Sequence, residues 1–285
     1  MKYTLSIVGN PELEYFEQAV RILQASDFTI SRQLAAGQAV EMHGSINPDQ
    51  IEPLLEGVKI DWCLHKNPVQ IANIMICDMD STIIAQECVD ELADLAGVGE
   101  QVKAITEAAM QGNLEFSHSL AERVEQLAGQ SQDILLQCWN ERISINAGAK
   151  TLIATMNNLG AKTALVSGGF TWFAKRVAEA VGFSEYHANE LVIKDHKLTG
   201  NVLGPVLDGK VKLAHLSRLA QEQKTTCAIG DGANDLAMVQ GADLGIAYRA
   251  KPVLQHCANG RIQHTDLTTA LFFQGICTKQ WTVVS

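Results

Sequence analysis

The sequence of 285 residues has no uninterrupted apolar run long enough to cross a bilayer, so we expect no membrane partner. Positive charge is also scarce: 22 lysine and arginine residues stand against 32 acidic residues, for a formal net charge of −10. Sequence-independent nucleic-acid binding depends on lysine and arginine at phosphates, so no nucleic-acid partner is expected either. Any anionic small molecule must be held by local positive groups.

The seven cysteines include no C-x-x-C pair, which argues against a disulfide framework and against a zinc site. Cys77 and Cys227 lie within apolar runs, where a free thiol behaves as a small buried side chain. The first residues show neither the apolar run nor the cleavage site of a signal peptide. We therefore expect a cytoplasmic protein.

The most informative segment is residues 74–82, an apolar run followed by two carboxylates and a threonine. The run predicts a buried parallel strand, and open α/β sheets bind ligands just past the carboxyl ends of such strands. Asp78 and Asp80 are two residues apart. Carboxylates held this close repel each other, so one takes up a proton or a cation binds between them. The alternative interpretation is an ordinary polar turn after a strand.

Further motifs follow along the chain. A second apolar strand ends in Ser-Gly-Gly at residues 167–169, and a third runs into Gly-Asp-Gly-Ala-Asn-Asp at residues 230–235. Lys212 lies in a helical stretch between them. With Asp-x-Asp-x-Thr at residues 78–82, this order resembles the haloacid dehalogenase-like (HAD) superfamily over roughly residues 70–285. The resemblance implies an α/β fold with a Rossmann-like parallel sheet in a phosphatase domain at residues 69–285, into which a helical cap is inserted at about residues 86–147.

The resemblance also implies catalytic and metal-binding roles. Asp78 would be the nucleophile that forms an aspartyl-phosphate, and Asp80 the general acid and then the general base. The cofactor would be Mg²⁺, a hard cation that prefers oxygen ligands, held by Asp78, Asp80 and Asp231. Asp235 would hold a water of the metal's hydration shell. Helix capping is the alternative role for Asp231, Asn234 and Asp235.

The remaining residues of the implied site would bind the phosphoryl group. Ser167 and the amide of Gly168 would hold its oxygens, because glycine lets the backbone approach an anion closely. Lys212 would neutralise the charge of phosphate and nucleophile. Asn234 would contribute to the substrate site by fixing the loop around it. Taken alone, Ser-Gly-Gly is an ordinary strand-to-helix turn, and with Lys210 nearby, Lys212 is equally compatible with a solvated helix face.

Substrate selection would come from the cap. By resemblance, Glu87 would contact an ammonium group, Arg123 would pair with a carboxylate through its planar guanidinium, and Phe116 would close an apolar wall between them. Without the resemblance, Glu87 and Arg123 would be read as surface charges on helices. Together they imply a small phosphorylated amino acid, phosphoserine, as the substrate, and hydrolysis to serine and phosphate as the last step of serine synthesis.

Residues 1–68 show a βαββαβ order that predicts an α+β ferredoxin-like domain and resembles the ACT family. That resemblance implies a regulatory amino-acid site, while a packing module or a homodimer contact is the alternative. Two alternatives to the hydrolase stay open. One is a HAD phosphotransferase that acts on another phosphorylated amino acid or passes the phosphoryl group to a hydroxyl such as that of homoserine, and the other is a non-catalytic amino-acid sensor.

Overall fold

The structure is a computed structural model that describes residues 3–45, 48–65, 68–110, 115–221 and 224–284. The first part of the chain follows the predicted βαββαβ order. Its elements are β1 (Tyr3–Gly9), α1 (Tyr15–Ala25), β2 (Thr29–Ala35), β3 (Ala39–Gly44), α2 (Ile51–Leu54) and β4 (Ile60–His65). The strands pair antiparallel in the order β2-β3-β1-β4, which is the ferredoxin-like arrangement. The predicted boundary residues 66–67 lie outside the described residues.

Helix α1 shows why this unit folds as it does. Its apolar residues recur three and four positions apart, so Phe16, Ala19, Val20 and Leu23 lie on one buried face. That face packs against alternate residues of the strands, among them Leu5 on β1. The amphipathic period of the helix and the period of two in the strands thus give one small core.

The second part of the chain contains the predicted parallel sheet. Its strands are β5 (Ile74–Cys77), β6 (Lys162–Phe170), β7 (Glu185–Lys194), β8 (Lys197–Leu203), β9 (Thr226–Gly230), β10 (Leu244–Tyr248) and β11 (Gly260–Ile262). The order β11-β10-β9-β5-β6-β7 is parallel at each pair, and β8 returns antiparallel to β7. The hairpin predicted at residues 186–203 is confirmed, and its first strand is also part of the main sheet.

Helices cover both faces of this sheet. They are α7 (Ala149–Asn158), α8 (Thr171–Val181), α9 (Gly209–Leu219), α10 (Leu236–Gly241), α11 (Pro252–Gln255) and α12 (Thr269–Phe272). On β5, Ile74 and Ile76 join the core cluster that contains Leu216 of α9, whereas Met75 and Cys77 join the cluster on the opposite face. Continuous apolar runs such as residues 74–77 are therefore buried on both sides, as parallel strands require.

The segment between β5 and α7 is helical, as predicted for the cap. It contains α3 (Cys88–Leu95), α4 (Gly99–Met110), α5 (Phe116–Glu125) and α6 (Asp133–Glu141). Two linkers connect it to the sheet and pair with each other: the Ala85 N–H donates to the Ser144 carbonyl at 3.0 Å and the Asn146 N–H donates to the Ile83 carbonyl at 2.9 Å. The cap is therefore attached through this short antiparallel contact and through a second one at β8, where the Gly129 N–H donates to the Leu198 carbonyl at 2.8 Å.

The segment after β10 is less regular, and sequence patterns placed no strand there. Strand β11 has three residues, pairs parallel with β10 and pairs antiparallel with β4 of the first unit. The two units consequently share one sheet of eleven strands. Within the described residues, no helix is both long enough and apolar enough to cross a membrane. All seven cysteines are free thiols.

Candidate active site

The predicted motifs meet at one edge of the sheet. Strand β5 lies between β6 and β9, so Asp78, Ser167 and Asp231 stand at the carboxyl ends of three neighbouring strands. The Asp78 N–H donates to the Ile229 carbonyl at 2.9 Å, which extends the β5–β9 pairing up to the carboxylate. Because parallel strands end at the same edge, groups separated by about 150 residues of chain come together.

Lys212 is fully buried in the centre of this group. Its Nζ lies 2.5 Å from Asp78 Oδ1 and 2.6 Å from Asp235 Oδ1. Helix α9 positions it, and Asp208 begins that helix by accepting the N–H groups of Lys210 and Val211. Burial opposes the charge on Lys212, but Asp235 and Asp78 outweigh that effect and raise its pKa. The lysine is therefore a fixed cation between two carboxylates.

Asp78, Asp231 and Asp235 form an acidic cluster whose nearest oxygens lie within 4.8 Å of one another. Burial and the nearby Asp235 raise the pKa of Asp78, and the same two causes raise the pKa of Asp231 to about 6. Lys212 pairs directly with two of the three carboxylates and Lys251 acts on Asp231 through its charge, so the cluster still carries excess negative charge. An all-oxygen set with unbalanced charge fits a small divalent cation, and Mg²⁺ suits this chemistry.

Asp235 also holds the loop that carries Asp231. Its Oδ2 accepts the N–H groups of Asp231 at 3.1 Å and Gly232 at 3.2 Å. Gly230 leaves room for this arrangement, because a Cβ there would lie 2.5 Å from the Asp235 side chain. The Asn234 side chain folds back over Gly232, where a Cβ would lie 2.5 Å from Asn234 Oδ1. Asn234 thus lies in the loop itself, where we predicted it.

Asp80 is buried beside the cluster and receives two hydrogen bonds. The Cys88 N–H at the start of α3 donates to Oδ1 at 2.9 Å, and the Ser167 hydroxyl donates to Oδ2 at 3.2 Å. Burial raises the pKa of Asp80 against these bonds. Gly169 is required next to it, since a Cβ would lie 2.4 Å from Oδ2. A carboxyl group that retains a proton more readily than usual suits general acid chemistry.

Two of the predicted cap residues face this edge. Glu87 is exposed, and its carboxylate accepts a hydrogen bond from the Ser81 hydroxyl at 2.8 Å. Desolvation by the surrounding protein and the charge of the neighbouring Asp80 raise the pKa of Glu87 to about 8. The Phe116 ring covers Gly168, where a Cβ would lie 2.7 Å from the ring. Phe116 therefore lies over Gly168, and Glu87 lies close enough to Asp80 for their charges to interact.

Arg123 is buried in α5, and within the described part of the chain no hydrogen bond joins it to the acidic cluster. Its Nε donates to the Ser119 carbonyl at 3.2 Å. Burial raises the pKa of Asp90, and the charge of Arg123 opposes that shift, which places Arg123 near the beginning of α3. Asp90 Oδ1 is buried without a hydrogen-bond partner among the described residues. Sequence reasoning did not select Asp90, because a carboxylate in a helical first turn is common.

The family model described as haloacid dehalogenase-like hydrolase matches residues 72–243, which is more than half of the chain and includes every predicted site residue. The chain belongs to this family. As a HAD-like hydrolase it is an enzyme, and the order of its motifs is that of the family.

Curated relatives of this HAD-like hydrolase carry the name phosphoserine phosphatase. The protein from Idiomarina loihiensis is 44% identical over 204 residues, which cover 70% of this chain and 92% of the relative. Among solved structures, a HAD family hydrolase from Salmonella enterica serovar Typhi has a TM-score of 0.85 at 28% identity and covers 95% of this chain and 98% of that one. A probable phosphoserine phosphatase from Vibrio cholerae has a TM-score of 0.79 at 30% identity and covers 98% of this chain and 88% of that one.

Proposed function

We propose that this HAD-like hydrolase is a magnesium-dependent phosphoserine phosphatase that releases serine and inorganic phosphate. The observation that carries the proposal is the buried set in which Lys212 joins Asp78 to Asp235 beside Asp231, with Glu87 facing it from the cap. The names of the curated relatives support the same substrate. In metabolism, this reaction would be the last step of serine synthesis. The free thiols suit a reducing compartment such as the cytoplasm.

In the first chemical step, an Asp78 carboxylate oxygen attacks phosphorus and the bond from phosphorus to the serine oxygen breaks. Asp80 gives its proton to the departing oxygen, so that serine leaves with a neutral hydroxyl. In the second step, Asp80 takes a proton from water, which attacks the aspartyl-phosphate and regenerates the Asp78 carboxylate. Ser167 and the Gly168 amide hold the phosphoryl oxygens during both steps, and Lys212 balances their charge.

Asp78, Asp80 and Asp231 would hold Mg²⁺, which when bound would neutralise phosphoryl charge. Side chains of the protein would select the substrate. A substrate ammonium would be attracted by Glu87 in its ionised form, and the Arg123 guanidinium would pair with the substrate carboxylate. Phe116 would cover the apolar part of the substrate and exclude water. The amino-acid end and the phosphate end would thus be recognised by different segments of the chain.

The test is phosphate release by the full-length protein across a panel of phosphorylated metabolites. The panel contains phosphoserine, phosphothreonine, glucose 6-phosphate, glycerol phosphate and p-nitrophenyl phosphate, each with Mg²⁺ and with a chelator. We expect kcat/KM for phosphoserine to exceed that for the sugar phosphate by at least about 100-fold, because two charged contacts are lost with the sugar. Activity should fall with chelator and return with added Mg²⁺. Similar values for all five esters would refute the assignment.

A separate experiment tests whether water or another hydroxyl compound accepts the phosphoryl group. Phosphoserine turnover is followed by phosphorus NMR with and without a large excess of homoserine. Hydrolysis predicts inorganic phosphate as the only phosphorylated product in both samples. Accumulation of phosphohomoserine would instead assign the enzyme as a phosphotransferase.

A further inference from the structure

The pairing between β6 and β7 is interrupted at the phosphate-binding segment. The two strands pair in register from Ala164 to Val166, and the next partners are Phe170 and Asn189. Residues 167–169 of β6 therefore stand opposite a single residue of β7. Such a bulge removes the regular ladder partners of the extra residues. Their backbone groups must find other hydrogen bonds, because buried backbone groups are rarely left unpaired.

The side chain of Asn189 supplies one of these hydrogen bonds. It is 4% exposed, and its Nδ2 donates to the Gly168 carbonyl at 2.7 Å. Its Oδ1 accepts the Leu207 N–H, also at 2.7 Å. The partners fix which amide atom is nitrogen, since a carbonyl needs a donor and an N–H needs an acceptor. The Thr171 hydroxyl donates to the Asn189 carbonyl at 3.0 Å and holds the backbone of the asparagine itself.

The peptide plane between Gly168 and Gly169 is thereby held at both ends. Its carbonyl is bound by Asn189, and its N–H donates to Ser167 Oγ at 2.8 Å. Two successive glycines would otherwise let this plane rotate at little steric cost. Rotation of this plane would break the hydrogen bond between the Gly169 N–H and Ser167 Oγ. It would also allow the Gly168 carbonyl oxygen, which carries a partial negative charge, to face the phosphoryl oxygens and repel them.

The second hydrogen bond of Asn189 reaches the segment that leads into α9. Leu207 precedes Asp208, the residue that caps this helix, and Lys212 follows one turn later. One buried amide thus connects the loop that holds the phosphoryl oxygens with the helix that carries Lys212. The connection lies outside the cap and outside the acidic cluster.

We propose that Asn189 is a positioning residue for phosphoryl transfer, acting through the Gly168–Gly169 peptide and the start of α9. This inference rests on the proposed function. Loss of the Asn189 hydrogen bonds should impair the chemistry at phosphorus and leave recognition of the amino-acid end unchanged, since Glu87 and Arg123 belong to other segments.

The test compares Asn189→Asp and Asn189→Ala with the wild-type protein. Asn189→Asp keeps the acceptor for Leu207 but places an oxygen against the Gly168 carbonyl, and Asn189→Ala removes both hydrogen bonds. Asn201→Asp is the matched control, because Asn201 is exposed on β8 and its side chain hydrogen-bonds, among the described residues, to Thr199. We expect kcat for phosphoserine to fall about 100-fold in both Asn189 variants, as expected when reacting groups are misplaced by about 1 Å. The control should keep wild-type kcat.

Binding measurements distinguish a positioning role of Asn189 from general damage to the fold. In the presence of Mg²⁺, the dissociation constant for orthovanadate, a mimic of the phosphoryl group, should rise at least tenfold in both variants, and that for L-serine should stay within twofold of wild type. Wild-type kcat and vanadate affinity in both variants would overturn the proposal. Equal weakening of vanadate and serine binding, which misfolding would also produce, would overturn it as well.

The same variants distinguish this inference from the proposed substrate. If the wild-type protein hydrolyses p-nitrophenyl phosphate but not phosphoserine, the substrate assignment fails. The ratio of variant to wild-type kcat on p-nitrophenyl phosphate then tests Asn189 by itself, with the same 100-fold loss expected from about 1 Å of misplacement.

Discussion

Asp61 Oδ2, on the last strand of the N-terminal unit, accepts a hydrogen bond from the Thr265 hydroxyl, with 2.5 Å between the two oxygens. The same buried carboxyl group accepts the N–H groups of Gln263 at 2.7 Å, His264 at 3.0 Å and Thr265 at 2.9 Å. These residues form the loop directly after β11, the strand that joins the two parts of the sheet. One side chain from the first unit therefore satisfies a run of backbone donors in the second.

Replacing Asp61 by alanine should destabilise the whole protein. The N–H groups of Gln263, His264 and Thr265 would lose their charged acceptor while remaining partly buried, so we expect a loss of about 3 kcal/mol in the free energy of unfolding. Urea denaturation of the full chain measures this value. Glu56→Ala removes an exposed carboxylate from the same unit and serves as the control. A loss below about 0.5 kcal/mol, the range of surface substitutions, would show that the contact does not hold the units together.

Replacing Asp78 by asparagine should abolish turnover without unfolding the protein. The amide is nearly the same size as the carboxylate but is a poor nucleophile, so kcat should fall below about one-thousandth of the wild-type value. Phosphate release measures the activity, and circular dichroism measures the fold. Asp133→Asn, at an exposed carboxylate of the cap, should keep full activity. Normal turnover in Asp78→Asn would remove the proposed nucleophile.

Replacing Arg123 should change substrate selection more than chemistry. Loss of a charge-assisted, bidentate contact costs on the order of 3 kcal/mol, so Arg123→Ala should lower kcat/KM for phosphoserine about 100-fold. The same variant should lower kcat/KM for p-nitrophenyl phosphate only a few-fold, because that ester has no carboxylate to bind. Arg142→Ala, at an exposed arginine of the cap, controls for the loss of charge. Equal losses of kcat/KM on both esters would mean that Arg123 does not bind the substrate carboxylate.

The burial of His65 predicts that this residue contributes to the loss of folded-state stability at low pH. It is buried on β4 with Nε2 at 3.0 Å from Ser6 Oγ, and burial lowers its pKa to about 4. An unfolded histidine has a pKa of about 6.5, so between these values the unfolded chain binds the proton more readily. Stability should therefore be complete above about pH 6.5 and fall by up to about 3 kcal/mol as the pH decreases toward 4.

Urea denaturation at pH 7, 6, 5 and 4.5 measures this effect. The His65→Gln variant should lose less stability over this range than wild type, because it has no imidazole to protonate. His118→Gln, at an exposed histidine of the cap, should follow the wild-type curve. Parallel curves for His65→Gln and wild type would show that His65 does not contribute.

Much of the site could be anticipated without coordinates because the chemistry is concentrated at strand ends. The apolar run before Asp78 predicted a parallel strand, and parallel strands end at a common edge, so Asp231 and Ser167 had to lie near it. Asn189 could not be found in this way. It lies within a strand, and its function depends on a register shift that no local pattern reveals.

Periodicity and motif order alone determined most elements of both units, the helical cap and the acidic edge of the sheet, because these depend on side-chain spacing within short segments. Only the tertiary structure decided that Lys212 is fully buried between Asp78 and Asp235, that Asn189 holds the Gly168 carbonyl, and that a strand of three residues joins the two units. The reason is that each of these features comes from contacts between segments distant in the chain, whose energies depend on packing that local sequence does not encode.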